Sequence, residues 1–123
     1  MGWIRRLQRR WVRARPFPPE WWAILQARAP FSTRIPPASR AKFEADLMTF
    51  EHEKTFIGAG GFQVTEEARV VVSAAAVRLV LFLEIGYLDR VNEIVIYPGA
   101  YQHPDRRGAI LGEVSDWSTV VLS

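Results

Sequence analysis

The sequence predicts an α+β domain in which helices come first, a central apolar helix follows, and a small sheet closes the chain. Three observations carry this reading. Residues 39–56 repeat apolar side chains at helical spacing, with Phe43, Leu47 and Phe50 at i, i+4 and i+7. Residues 70–83 are apolar on nearly every side, which only a helix central to the core tolerates. After Gly86 the helical period stops, and short β-rich runs such as E-I-V-I-Y (93–97) take over between turn residues.

In chain order, residues 1–15 form a basic arm that places Trp3, Ile4, Leu7 and Trp11 at helical spacing, with arginines filling the opposite face. R-P-F-P-P then breaks the helix, because proline lacks a donor and restricts the residue before it. Residues 20–28 read as a short helix with a proline before it and Glu20 in its first turn. Prolines 30, 36 and 37 make residues 29–37 a linker, and the helix over 39–56 follows, with Gly58 just past its end. G-A-G-G (58–61) is a turn; no G-K-S/T follows it, so a phosphate loop is not supported. Residues 62–64 are a candidate short strand. Thr65 can cap the next helix, and Glu66 and Glu67 suit its positive end. That helix is expected to run to about Glu84, and Ala74, Ala75 and Ala76 permit close approach by a neighbour. Strands are expected at 93–97, 109–111 and 119–122.

Charge is distributed unevenly. The arm carries six of the 16 basic residues and none of the 13 acidic ones, so the remainder of the chain is net acidic. A uniformly basic nucleic-acid-binding face is not what this describes, and direct nucleic-acid binding is not expected. The arm has two readings. Arg5, Arg6, Arg9, Arg10 and Arg13 can meet lipid phosphates on an anionic membrane surface, giving weak contact with the tryptophans at the boundary. Alternatively the arm is a terminal helix docked on the domain with its arginines in water. The run at 70–83 is shorter than the roughly 20 residues of a membrane span and is interrupted by Arg78. The arm also lacks a secretory apolar stretch, so cytoplasmic residence is expected.

Chemistry-bearing residues are sparse. The chain has no cysteine and two histidines, His52 and His103. F-E-H-E-K-T-F (50–56) begins like the zinc helix H-E-x-x-H, but Phe56 stands where the second imidazole must stand, one turn along. His52 therefore reads as a surface or boundary histidine. His103 and Asp105 share a loop without a nucleophile nearby, and Ser115, Asp116 and Ser118 have no histidine at short range. The pairs Glu51/Glu53 and Glu66/Glu67 lie near helix ends, where solvent and dipole explain them. No catalytic set and no metal-ligand set emerges.

Six stretches in order carry a resemblance: R-P-F-P-P-E-W (15–21), R-I-P-P-A-S-R-A-K (34–42), F-E-H-E-K-T-F-I-G (50–58), G-G-F-Q-V-T-E-E-A-R-V (60–70), I-V-I-Y-P-G-A-Y (94–101) and G-E-V-S-D-W-S-T-V-V-L-S (112–123). Together they resemble the zinc-dependent peptidases related to the Mlc titration factor. The resemblance implies that residues 50–58 bind no metal and that the zinc helix follows the stretch resembling V-V-L-S. It further implies that residues 16–123 are the amino-terminal part of a single metallopeptidase-like domain, an incomplete zincin-like fold that is inactive as given. Zinc is the cofactor implied for the complete enzyme, with none bound by this chain, and a peptide or protein is the implied substrate. In such enzymes an edge strand commonly holds the substrate as an added strand, which points to Ile94, Val95, Ile96 and Tyr97, or to Thr119, Val120, Val121 and Leu122. Both runs read equally well as internal strands. The competing expectation is a binding module without catalysis that contacts a transcriptional repressor, a partner suggested by the resemblance alone.

Overall fold

The computed structural model describes residues 2–98, 109–114 and 117–122. Four helices and a four-stranded sheet make the α+β arrangement that the pattern predicts. Helix α1 spans Gly2–Arg13, and α2 spans Pro19–Arg28 with proline at its start, Glu20 in its first turn and Arg28 in its last. The proline-rich linker winds into two 3-10 turns, Pro30–Arg34 and Pro37–Ser39. Helix α3 (Arg40–Glu53) buries Phe43, Leu47 and Phe50, the stripe seen in the sequence.

Helix α3 ends at Glu53, earlier than its periodicity suggests. Strand β1, Thr55–Gly58, takes the next residues, and it pairs in parallel with β2, Glu93–Pro98. Thr55, Phe56 and Ile57 are β-branched or aromatic, so the ladder wins once a partner strand is present. Gly58 is thus a strand residue and not a helix stop. An added Cβ there would sit 1.9 Å from the carbonyl oxygen of Phe62. The turn itself is made by Gly60 (φ 62°) and Gly61 (φ 80°), in the left-handed region that glycine occupies without strain. Residues 62–64 form no strand.

Helix α4, Glu66–Arg78, begins as its sequence dictates: the Thr65 hydroxyl oxygen accepts from the Ala68 amide at 3.1 Å. It stops at Arg78, not near Glu84. Beyond it the backbone switches to i→i+3 bonds, Leu79 to Ala76, Val80 to Val77 and Leu81 to Arg78. The Val80 carbonyl accepts from the Leu83 amide at 2.9 Å, one more i→i+3 bond, and from Lys42 Nζ at 3.1 Å. After Arg78 the chain thus tightens into i→i+3 turns where its apolar pattern would have continued the helix. A further 3-10 turn, Ile85–Leu88, leads to β2.

The sheet order is β1-β2-β4-β3, with β3 at Ala109–Val114 and β4 at Trp117–Leu122. Strands β2 and β4 are antiparallel, as are β4 and β3, whose register shifts between Ile110 and Gly112. Ile94 and Ile96 alternate into the core, where they join Trp21 and Leu25 of α2, the α3 stripe, and Val70, Val71, Val72, Ala74, Ala76 and Val77 of α4. Among the described residues no helix is long and apolar enough to cross a membrane. His103, Asp105, Ser115 and Asp116 lie outside the described residues.

The contact at Gly58 supplies a test of the fold. Gly58→Ala is expected to destabilise by about 1–3 kcal/mol, because backbone must move to admit the methyl group. Gly2→Ala, with nothing within 4 Å, is the matched control and leaves the denaturant midpoint unchanged.

Candidate functional site

The densest group of charged side chains lies where α1 meets α3. Arg5, Arg9 and Arg13 stand at i, i+4 and i+8 on one face of α1, and Asp46 and Glu53 stand at i and i+7 on α3. Arg9 donates from Nε to Glu53 Oε2 at 2.7 Å and from Nη2 to Oε1 at 2.9 Å, a two-pronged pair. The same Nη2 reaches Asp89 Oδ1 at 2.5 Å, and Arg5 approaches the other Asp89 oxygen at 3.3 Å. Arg13 donates to Asp46 Oδ1 at 2.6 Å, while Lys42 holds Oδ2 at 2.5 Å. Pairing Arg9 with Glu53 and Arg13 with Asp46 requires the two helices to run antiparallel.

Burial makes these pairs matter. The Asp46 side chain is 1% exposed, and only its two cations and their hydrogen bonds make an ionised carboxylate tolerable there. Burial by itself would raise the Asp89 pKa. The Arg9 hydrogen bond and the charges of Arg9, Arg5 and Lys54 outweigh it and hold this carboxyl below its ordinary range. Arg9 is held charged more firmly than a free arginine, first by its Glu53 hydrogen bonds, against the cost of its own burial, with Asp89 adding to the effect. Lys54 moves downward because burial outweighs the attraction of Glu53 and Asp89. Its ammonium donates to the Leu88 carbonyl at 3.0 Å and lies over the Phe50 ring.

Every carboxylate on α3 has a basic partner. Glu44 faces Arg40 and also accepts from the Trp22 indole; Glu51 faces Arg69; Asp46 and Glu53 are held as described. His52, between Glu51 and Glu53, is exposed, and no other described residue is a histidine. Among the described residues no three His, Asp or Glu side chains converge to hold a metal ion. The four α3 carboxylates do not fit a zinc site, since arginine and lysine already neutralise them.

The candidate substrate strands are placed by the topology. Ile94, Val95, Ile96 and Tyr97 lie in β2, between β1 and β4; Thr119, Val120, Val121 and Leu122 lie in β4, between β2 and β3. Both are interior strands, with residues 94–96 paired to β1 and β4 and residues 119–121 paired to β2 and β3, so neither is an edge strand. Among the described residues the outer strands are β1 and β3.

The arm departs from the docked-helix reading in one respect. It docks on the body, yet through arginines: Arg5, Arg9 and Arg13 are engaged, and of the five candidate surface arginines Arg6 and Arg10 remain exposed and unpaired among the described residues. The i, i+4, i+8 row of arginines was a signal in the sequence. Its acidic partners, 33 residues away or more, were not.

Two outcomes follow from this seam. Because the folded-state pKa of Asp89 lies below its unfolded value, its contribution is complete above the unfolded pKa and disappears as pH falls through the folded one. Denaturation midpoints are therefore expected to decline below about pH 4, and Asp89→Asn to flatten that decline while lowering stability at neutral pH.

Comparison with known proteins agrees with the resemblance. The uncharacterized protein slr2042 of Synechocystis sp. is 42% identical over 88 residues, which are 72% of this chain and 32% of that protein. The chain thus spans about a third of that relative's length. No solved structure matches it. The sequence profile of the glucose-regulated metallo-peptidases M90 matches residues 3–123, nearly the whole chain, and the protein belongs to that family.

Proposed function

We propose that this chain forms the framework of a zinc-dependent peptidase and that its 123 residues do not themselves carry the metal or the hydrolytic step. The observation that carries this reading is the pairing of all four α3 carboxylates with basic side chains. A zinc ligand set needs several unengaged donors converging on one point. Here the acids are committed to holding helices together, and the sequence contains no H-E-x-x-H. Family membership supplies the expectation of a metal, with zinc the ion, and of a peptide or protein substrate for the complete enzyme. An extended peptide joining this sheet would find its place at β1 or β3, the outer strands among the described residues. The 123-residue chain is expected to retain well under one zinc per molecule after gel filtration and to cleave a casein substrate no faster than buffer. One tightly held zinc per chain, with cleavage that a chelator abolishes, would overturn the reading.

A second reading, a contact module for a transcriptional repressor, draws on one feature. The turns after α4 leave Leu79, Phe82, Leu83 and Tyr87 exposed, Phe82 at 79% and Tyr87 at 71%, an apolar patch of the kind that partners cover. In calorimetric titration with the purified repressor, that reading expects saturable heat that Phe82→Ser with Tyr87→Ser abolishes. Absence of heat with the parent chain counts against it.

A further inference from the structure

The outward face of α1 has no role in the seam, and it is the apolar face. Trp3, Leu7 and Trp11, at i, i+4 and i+8, are 61%, 53% and 63% exposed. An amphipathic helix on a globular protein ordinarily buries its apolar stripe. Here Val12 and the Arg5, Arg9 and Arg13 row do the docking, so the stripe is left standing in water. Arg6 and Arg10 are exposed beside it, the Arg15 guanidinium lies 4.9 Å from the centre of the Trp11 ring, and α1 contains no acidic residue. The surface is therefore apolar along its ridge and cationic along its rim.

We infer that this face rests on an anionic lipid surface, with α1 lying in the plane of the headgroups. Charge complementarity selects this occupant. A second copy packed face to face would set Arg6 and Arg10 against the same uncompensated arginines. A bilayer bearing acidic headgroups supplies phosphates to the rim and an apolar layer to the ridge. Indole rings suit the boundary between the two, since they present a large apolar face and one donor. The helix has 12 residues, too few to span, so the contact is peripheral. The seam fixes the geometry: with Arg9 holding Glu53 and Asp89, the stripe is presented outward before any membrane is met. The inference is independent of the peptidase reading and stands or falls on the α1 face alone.

The test is co-sedimentation of the full chain with vesicles of phosphatidylglycerol and phosphatidylcholine in equal parts, against phosphatidylcholine alone. Pelleting with the anionic vesicles only, with a blue shift of tryptophan emission, is expected. Arg6→Gln with Arg10→Gln should weaken partitioning by about fivefold per arginine. Trp3→Ser with Trp11→Ser should abolish it. Thermal melts of both variants check that the seam is intact. Should either variant melt early, the parent chain alone still decides, because its binding must disappear at about 0.5 M salt. Absence of pelleting, equal pelleting with neutral vesicles, binding that survives both pairs of substitutions or high salt, or a lipid-free dimer that Trp3 and Trp11 sustain would each overturn the inference.

Discussion

A helix that is apolar on every side must be covered on every side, and α4 imposes that requirement on the whole chain. Val70, Val71 and Val72 are consecutive and all fully buried, although consecutive helical residues point in different directions. No single neighbour can shield them. α2 brings Trp21 and Leu25, α3 brings Phe43, Leu47 and Phe50, and the sheet brings Ile94 and Ile96. At roughly 1.5–3 kcal/mol for each fully buried large apolar side chain, this cluster is the dominant stabilising term. Its geometry fixes the orientation of α3, and so decides which α3 side chains are left to meet α1.

Those side chains are acidic, and that is why the amino-terminal helix docks the way it does. Asp46 and Glu53 face the row Arg5, Arg9 and Arg13, and Asp89 enters from the turn before β2. Three elements distant in sequence are thereby joined at one seam. The same arrangement accounts for the chemistry of α3. Residues that look in isolation like the start of a zinc helix, His52 and Glu53, are an exposed imidazole and a carboxylate clasped by arginine. It also accounts for the outward apolar stripe, since a helix attached by its cationic face presents the opposite one.

Local signals in the sequence were legible where they depended on near neighbours. The stripe Phe43, Leu47, Phe50 and the Thr65 cap needed only helical geometry to be seen. What was not legible depended on distant partners. Residues 55 and 56 continue the helical pattern of α3, and 55–58 become a strand only because residues 93–96 lie alongside. Residues 79–83 are as apolar as α4 but leave the helix for i→i+3 turns. The runs 94–97 and 119–122 were correctly read as strands, while their interior position follows from a sheet order that no short window contains. For the site, the lack of a second histidine near His52 was visible at once. The use of the nearby acids became clear only when their arginine partners were located.

Arginine-to-carboxylate pairing, not the apolar stripe, attaches α1 to the body. A double-mutant cycle on Arg9→Ala and Glu53→Ala, read by denaturant unfolding, tests it most directly. A coupling of about 1 kcal/mol or more is the predicted result for a two-pronged, largely buried pair. Strictly additive losses, with a coupling of zero, would contradict it and would mean that α1 meets α3 through another face.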